Sequence, residues 1–516
     1  MSYRKTNSGA AGVWLLIVCH LLIVLPLAYF LNIWSDEASS LYSTESVSAA
    51  FRNAATVERQ APLYFWILSL WRVMNASPFF ARVLSTLFSV AAIWLFSNLA
   101  SRVLKNSRTA ILTTAFFALH PIMIWASVEI RVYALLILIS IALLRLFIDA
   151  FFEGPEANTQ RSQRTAKIGF LVVSIIALYT NYYLGFLLVG LFAALIVTAR
   201  WRPAVMYLAT MAAAGVAFAP LVLTLEAQFV ANTTGLSEQP TLIEGIRRVW
   251  NHALTFVLPA DIRRGEEATP VGLLRLWIVR AGLAGAAVLA ALRWKRLSSI
   301  TIALGAVVTT VALCLLAAYF LVGAWLVELR HASTLFVPLI LFVASLLSDL
   351  FGSKDEESGA FKYVATLAGV VVLGFFSYAL MNLYPDWSKN GDWIRVAAYI
   401  QAKEKPGQPI IIFHTYDALV MPYEYHGVNR ILPDERLFDF DFGTPTPERT
   451  NAKTEFTISK IPTEANEIWV IANDECKTPG ICDQFEEFLN ENYTVVEQRQ
   501  FYRNNVTLLR RKVGYQ

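Results

Sequence analysis

Charged side chains next to apolar stretches are the residues of this chain best suited to chemistry. Asp36 and Glu37 directly follow the first long apolar stretch, and Arg59 precedes a shorter one. A charge at a membrane edge is energetically costly, so it is a functional candidate by default. A carboxylate pair can act as a general base or bind a cation. The alternative for Asp36 is a helix N-cap, a position that Asp commonly fills.

Two further groups of charges lie in short connections. Glu129 and Arg131 stand between two apolar stretches, and Arg330 and His331 come just before another. Arg suits phosphate because its planar guanidinium makes bidentate contacts. A structural Glu129–Arg131 pair is the alternative, although residues i and i+2 do not face each other on a helix. For Arg59 the alternative is a cation that reaches the lipid headgroups, and for Arg330 and His331 it is a polar turn.

Together these side chains fit the transfer of a group from a membrane-bound phosphate ester. Arginines would neutralise the phosphate, and a carboxylate would deprotonate or polarise the accepting hydroxyl. The sequence contains no P-loop, no glycine-rich nucleotide fingerprint and no Ser-His-Asp order. The donor is therefore expected to be borne by a lipid. The net charge of +4 is too small to indicate nucleic acid as a partner.

Long apolar stretches must position these side chains. Of the 516 residues, 56% are hydrophobic and 16% are charged, against about 25% charged residues in soluble proteins. A membrane-spanning helix needs about 20 apolar residues. The sequence has eleven candidate stretches, at 11–33, 78–101, 109–126, 132–152, 167–181, 183–199, 204–224, 271–292, 298–322, 333–350 and 362–382. We therefore predict a polytopic α-helical membrane protein with about eleven transmembrane helices.

The positions of Lys and Arg give the predicted orientation. Basic residues favour cytoplasmic loops, and with a cytoplasmic N-terminus every loop predicted to lie inside is basic. An odd number of spans then puts residues 383–516 outside, together with the loop 35–77. Within that loop, Pro62–Val73 is too short to cross and predicts a helix at the membrane surface. We predict a transmembrane catalytic domain at 1–382 and a periplasmic domain at 383–516.

The tail has the pattern of a small α/β domain, because helical and β-rich segments alternate along it. These segments are Gly391–Lys403, Pro409–His414, Glu467–Ala472, Asp483–Asn490, Thr494–Gln498 and Val506–Arg510. Cys476 and Cys482 flank a Pro-Gly turn, which predicts a disulfide in an oxidising compartment. Two unpaired thiols are the alternative.

Several stretches resemble those of GT-C glycosyltransferases that use polyprenyl-phosphate sugars, in particular the bacterial protein mannosyltransferase and lipid A aminoarabinose transferase relatives. Trp34–Ala38 is similar to the Asp-Glu motif of that family, and Ser127–Tyr133 to a Ser-Gln-Glu-Ala-Arg-x-Tyr stretch. Gln60–Tyr64 resembles a His-Pro-Pro-Leu-Tyr stretch, with Gln60 at the position of the His. Leu178–Tyr183 resembles a Tyr-Thr-His-Tyr stretch. The similarity covers nearly the whole chain.

The resemblance implies roles for individual residues. Asp36 would be the catalytic carboxylate, and Glu37 would be a second catalytic residue that orients the acceptor, a cation or an arginine. Arg131 and Arg330 would hold the donor phosphate, with Arg59 as a further candidate. The supporting residues would be Glu129, Tyr133, Tyr64, His331 and Gln60.

By this resemblance, the protein is expected to transfer a sugar from a polyprenyl-phosphate donor to an extracytoplasmic lipid, glycan or protein, with inversion at the sugar carbon. The expected fold is a GT-C-like bundle with a small C-terminal α/β domain, in the bacterial inner membrane and in contact with its lipids. No cofactor follows from the resemblance, and a divalent cation stays an open alternative because arginines alone can neutralise a monophosphate. The alternative function is a transporter or flippase of lipid-linked glycans, which more often shows inverted repeats.

Overall fold

The computed structural model describes residues 6–104, 106–152, 160–233, 241–260, 269–321, 327–351, 359–413, 419–434 and 447–512. Helices predominate up to residue 383, and a small sheet lies beyond it. The helices before the sheet region are α1 (Thr6–Phe30), α2 (Ser35–Ser43), α3 (Val47–Thr56), α4 (Leu63–Arg72), α5 (Pro78–Val103), α6 (Ser107–Leu119), α7 (Pro121–Ser127), α8 (Tyr133–Phe147), α9 (Gln160–Thr180), α10 (Leu184–Val197), α11 (Trp201–Thr233), α12 (Leu242–Val257), α13 (Pro270–Leu292), α14 (Ser299–Leu321), α15 (Phe336–Leu350) and α16 (Gly359–Leu383).

Within the described residues, eight helices are long and apolar enough to cross a membrane. They are Ala10–Phe30, Pro78–Val103, Tyr133–Phe152, Trp201–Val222, Pro270–Leu292, Ser299–Leu321, His331–Leu350 and Ala365–Leu383. Helices α6 and α7 add a ninth span if this pair, bent by 53°, crosses as one. The polytopic α-helical class is therefore confirmed.

Fewer than the predicted eleven helices are long and apolar enough to span a membrane among the described residues. All eleven stretches fall on helices. However, α9 begins with the polar sequence Gln-Arg-Ser-Gln-Arg, and α10 is an apolar helix of only 14 residues. A helix of that length spans about 21 Å, less than the roughly 30 Å of a bilayer core.

Helices α10 and α14 pack closely against each other. A Cβ atom at Gly190 of α10 would lie 3.1 Å from the carbonyl oxygen of Val307 on α14. Small residues at such contacts let two backbones approach, which is how helices gain packing energy in a membrane. Gly190 is therefore a close-approach position of the bundle.

The chain divides into two compact units. The bundle unit comprises Met1–Tyr29, Thr44–Thr233 and Ser237–Leu383, and the tail unit is built on Phe30–Ser43 and Tyr384–Gln516. The tail unit thus includes α2, which follows the first apolar helix in sequence. The proposed domain boundary between residues 382 and 383 stays a prediction.

The C-terminal part of the tail unit is an α/β structure, as predicted. Its elements are α17 (Trp393–Lys403), β1 (Ile410–Ile412), α18 (Met421–Glu424), β2 (Ile431–Leu432), α19 (Pro447–Ser459), β3 (Glu467–Asn473), α20 (Asp483–Asn492), β4 (Tyr493–Phe501) and β5 (Asn504–Arg511). The sheet order is β2-β1-β3-β5-β4. Strand β1 pairs in parallel with β2 and β3, whereas β5 pairs antiparallel with β3 and β4. Ile411, Ile468, Val470 and Leu509 contribute to a core under this sheet.

A disulfide joins Cys476 and Cys482, whose Cα atoms lie 5.0 Å apart. Cys482 is fully buried in the core beside Phe485, and Cys476 packs against the same core. The link therefore attaches the turn before α20 to the packed face of the sheet.

Candidate functional site

Arg131 lies in a buried loop between α7 and α8. Hydroxyl groups on α5 hold the backbone of this loop. Ser85 Oγ donates to the carbonyl oxygen of Glu129 at 2.6 Å, and Thr86 Oγ1 donates to that of Ser127 at 3.2 Å. Buried carbonyl groups need such partners. Because the loop belongs to neither a helix nor a strand, these contacts determine where Glu129 and Arg131 lie.

His20 of α1 adds a second support for the same loop. The ring is fully buried, its Nδ1 donates to the carbonyl oxygen of Ala118 at 2.8 Å, and its Nε2 lies 3.1 Å from the hydroxyls of both Ser89 and Ser127. One side chain therefore connects α1, α5, α6 and the end of α7. This role of His20 could not be predicted from the sequence, since a histidine within an apolar run has no spacing signature.

Arg131 forms a buried ion pair with Glu58. Its Nη1 lies 2.7 Å from Glu58 Oε2, and the two side chains are 7% and 2% exposed. The alternative considered from the sequence was a structural pair between Arg131 and Glu129, whereas the observed partner is Glu58. A charge-assisted contact of this kind stabilises a guanidinium that is removed from water. Glu58 is thus a site residue whose role the sequence did not reveal.

In the turn after α3, Glu58 and the residues that follow it point in different directions and differ in burial. Arg59 is exposed and has a left-handed backbone, with φ of 51°. Gln60 is half-buried, and its backbone N–H donates to the carbonyl oxygen of Ala54 at 3.0 Å. Tyr64 is fully buried on α4. The turn therefore directs Glu58 inward and leaves Arg59 at the surface of the bundle unit.

Arg330 lies immediately before the short 3₁₀ turn that leads into α15. Its Nε lies 2.6 Å from Glu328 Oε2, with side chains 26% and 46% exposed. The ring of His331 stacks on that of Tyr183, with centroids 5.2 Å apart and planes at 12°. The charges of both Arg330 and Arg131 act on the His331 ring. The 3₁₀ turn that begins at His331 also packs against α8, which begins two residues after Arg131, so the two arginines predicted to bind phosphate lie in one region of the bundle unit.

Aromatic rings accompany this cluster. Tyr183 belongs to the cluster because its ring stacks on His331, and Tyr133 begins α8, against which the 3₁₀ turn of His331 packs. Tyr133 in turn stacks on Trp125, with ring centroids 4.6 Å apart and planes at 27°. Tyr133 was predicted as a supporting residue, while Tyr183 appeared only within a resembling stretch. Phenolic hydroxyls can donate hydrogen bonds to phosphate or sugar oxygens.

His252 of α12 also joins the cluster. Its Nε2 donates to the carbonyl oxygen of Val327 at 2.8 Å, and α12 packs against the 3₁₀ turn that begins at His331. Burial lowers the pKa of His252 below its ordinary value of 6.5, so the ring is neutral at pH 7. A capping box between Thr241 and Glu244 starts the helix. That motif was the available sequence signal for α12, but it says nothing of His252.

Asp36 and Glu37 lie in the tail unit, in the first turn of α2. Asp36 is half-buried, whereas Glu37 is fully buried and pairs with Lys389, whose Nζ lies 2.9 Å from Glu37 Oε1. Lys389 is only 1% exposed. Asn32 makes two hydrogen bonds of 2.9 Å with the backbone of Lys389. Sequence reasoning missed Lys389, which is 352 residues from its partner.

The predicted site residues thus fall into two groups. The bundle unit brings together Arg131, Arg330, His331 and Tyr133, and the tail unit holds Asp36 and Glu37. In the part of the chain that the structure describes, no group of three or more His, Cys, Asp or Glu side chains could hold a metal ion.

Comparison with known proteins identifies the fold. No family model and no curated protein matches this chain. It is similar to the oligosaccharyltransferase AglB from Archaeoglobus fulgidus in complex with an inhibitory peptide and a dolichol-phosphate, with 11% identity, 97% of this chain and 75% of that chain covered, and a TM-score of 0.51. It is also similar to an apo oligosaccharyltransferase from Archaeoglobus fulgidus, with 11% identity, 93% of this chain and 71% of that chain covered, and a TM-score of 0.50. For ArnT from Cupriavidus metallidurans bound to undecaprenyl phosphate, the identity is 13%, the coverage is 96% of this chain and 97% of that chain, and the TM-score is 0.44. The GT-C resemblance is therefore confirmed for the fold.

Proposed function

We propose that this protein is an integral membrane glycosyltransferase of the bacterial inner membrane. It transfers a sugar from a polyprenyl-phosphate-linked donor to a lipid, glycan or protein acceptor outside the cytoplasm. The observation that carries the proposal is the convergence of Arg131, Arg330 and His331 in a bundle with the GT-C fold. The structural neighbour AglB was solved with a dolichol-phosphate, a lipid of the class proposed here.

The arginine cluster suits the leaving group of such a transfer. When the bond between the sugar carbon and the phosphate oxygen breaks, negative charge develops on the phosphate. Fixed guanidinium groups stabilise that charge most strongly where water is excluded. Arg131 is fixed by its buried loop and by Glu58, and Arg330 lies at the start of a helix turn. Arg59, which is exposed, is the weaker candidate for the same phosphate.

Asp36 is the proposed catalytic carboxylate. It accepts the proton of the acceptor hydroxyl while the hydroxyl oxygen attacks the sugar carbon and the polyprenyl phosphate leaves. A single in-line displacement of this kind inverts the configuration at that carbon. General-base catalysis contributes about 10²–10⁴-fold to a rate. Treatment of the purified protein with EDTA before the donor-binding measurement tests whether a divalent cation takes part.

The first test is a mass analysis of envelope glycans from a strain that lacks the protein. We expect one glycan to lose one sugar, and the wild-type gene to restore it. Asp36→Asn should reach the membrane at the wild-type level and restore nothing. Asp483→Asn is the control, because Asp483 also lies in the first turn of a helix of the tail unit. Restoration by Asp36→Asn would overturn the assignment of Asp36.

The second test measures binding of undecaprenyl phosphate to the purified protein. Arg131→Gln and Arg330→Gln should each weaken binding at least roughly tenfold, because each loses a charge-assisted contact. Arg395→Gln is the control, since Arg395 is 52% exposed on a tail helix. Unchanged binding by both cluster variants would refute the donor site. If the deletion strain has unaltered glycans but a changed distribution of the donor lipid between the two sides of the membrane, the protein is a transporter instead.

A further inference from the structure

We infer that Glu37 and Lys389, together with Asn32, form a buried clamp that positions Asp36, and that Glu37 is a positioning residue and not a reacting group. This inference rests on the proposed function, because it concerns how the catalytic carboxylate is held. All four residues belong to the tail unit.

The ion pair is the centre of the clamp. Lys389 Nζ and Glu37 Oε1 lie 2.9 Å apart, and the side chains are 1% and 0% exposed. Two charges so completely removed from water are tolerated only when they neutralise each other with good geometry. A carboxylate held in this way is shielded from an acceptor hydroxyl. Its burial therefore argues for a structural task for Glu37, unlike the half-buried Asp36.

Asn32 attaches the same segment through the backbone. Its Oδ1 accepts from the N–H of Lys389, and its Nδ2 donates to the carbonyl oxygen of Lys389, both at 2.9 Å. The backbone N–H of Ile33 donates to Glu424 Oε1 at 3.2 Å. The chain just before α2 is thus joined to Lys389 and Glu424, more than 350 residues along the sequence.

These attachments determine the direction of Asp36. Helix α2 has only nine residues, and a helix of that length is marginal without tertiary contacts. Successive residues on an α-helix point about 100° apart. With Glu37 fixed toward Lys389, Asp36 must face another direction, where it remains half-buried. Loss of the pair would let α2 rotate or shift, and a displacement of about 1 Å can cost roughly 100-fold in rate.

A double-mutant comparison distinguishes positioning from reaction. We expect Glu37→Gln and Lys389→Gln each to slow transfer by roughly 10- to 100-fold, with binding of undecaprenyl phosphate unchanged within about twofold. The double variant should regain most of the rate, because two amides hydrogen-bond without a buried charge. The rate is read as the appearance of the missing sugar after induction of each variant in the deletion strain. If the double variant is as inactive as Glu37→Gln, then Glu37 reacts and the inference is wrong.

A matched control and a second readout complete the test. Lys403→Gln breaks an exposed Lys403–Glu497 pair in the same unit and should leave transfer unchanged. Hydrogen exchange of α2 amides in the full-length protein should quicken in Lys389→Gln and return toward normal in the double variant. Because hydrogen exchange is measured independently of activity, it tests whether the clamp holds α2 even if deletion of the gene alters no glycan. Unchanged exchange in Lys389→Gln would overturn the clamp.

Discussion

The guanidinium of Arg131 lies in a buried loop, where a carboxylate beside it balances its charge. The partner, Glu58, is 73 residues earlier in the chain and only 2% exposed. Arg330 and Glu328 make the same chemical pair, but with side chains 26% and 46% exposed. The two pairs differ mainly in burial, so they allow the energetic effect of burial to be measured within one protein.

We predict that Glu58→Gln destabilises the bundle far more than Glu328→Gln. Removing one partner of a buried pair leaves an uncompensated charge and costs about 3–5 kcal/mol. An exposed pair contributes only about 0–1 kcal/mol, because water and salt screen it. Thermal unfolding of the purified variants in detergent measures both effects. Equal losses of thermal stability would show that burial is not what distinguishes the pairs.

At the residue scale, sequence reasoning found residue types better than partners. The cost of charges at membrane edges predicts that Arg131, Arg330 and His331 are site residues, and these three residues lie in one cluster. Glu58 and Lys389 were missed as partners, since pairs separated by 73 and 352 residues are created by tertiary packing. Local spacing contains no information about such pairs.

Close helix packing gives a prediction at the scale of elements. Gly190→Ala would place a methyl group 3.1 Å from the carbonyl oxygen of Val307, a backbone atom, so α10 and α14 would have to separate by a few tenths of an ångström. We expect a loss of about 1–3 kcal/mol. Gly215→Ala is the control, because no atom lies within 4 Å of its Cβ position, and alanine favours helix by about 1 kcal/mol. Thermal unfolding in detergent should therefore shift in opposite directions. A stable Gly190→Ala would contradict the close approach.

The paired strands β3 and β5 give a pH-dependent prediction. Arg510 donates to Glu467 Oε1 at 2.9 Å, and Gln408 donates to Oε2 at 2.6 Å. The Arg510 contact holds the pKa of Glu467 below its ordinary value of 4.5. A lowered carboxyl pKa stabilises the fold above the ordinary value, and this contribution is lost as pH falls through the lowered one. Cross-strand pairs of this kind contribute about 0.2–1 kcal/mol.

Glu467→Gln should therefore weaken protection of β3 amides at pH 7 and match the wild type once the pH lies well below 4.5. Hydrogen exchange of the full-length protein, corrected for intrinsic rates, measures this. Glu487→Gln, at an exposed position on α20, is the control. A difference that persisted at acidic pH would mean that charge is not the cause.

Elements were predictable where one local property decides them. Apolar length alone gave helices at every predicted span, because a backbone in lipid must satisfy its own hydrogen bonds. Pro121, however, begins α7 after a break that bends the pair by 53°, where the apolar length of 109–126 predicts a single span. In the tail, β-rich runs located β3, β4 and β5, but the order β2-β1-β3-β5-β4 depends on long-range pairing. Residue patterns do not encode such an order locally.

At the scale of the whole molecule, the side of the membrane on which the tail lies depends on whether the bent pair α6–α7 crosses. The eight long apolar helices found among the described residues are an even number, and alone they would leave the segments before α1 and after α16 on one side of the membrane. The bent pair makes the count odd, and crossing by both α9 and α10 does not change that parity. The disulfide between Cys476 and Cys482 favours the odd count, because disulfides persist in oxidising compartments.

We therefore predict that alkaline phosphatase fused after Trp387 is active and that green fluorescent protein fused there is dark. Fusions after Arg296, in the basic connection between α13 and α14, should give the reverse result and serve as the control. The proposed reaction requires this orientation, since the acceptor lies outside the cytoplasm. Three apolar helices, α14 to α16, separate the two fusion sites, so the sites should report opposite sides of the membrane. If the fusion after Trp387 reports the cytoplasm and the fusion after Arg296 reports the outside, the tail unit lies inside, and an extracytoplasmic role for Asp36, which belongs to that unit, is excluded.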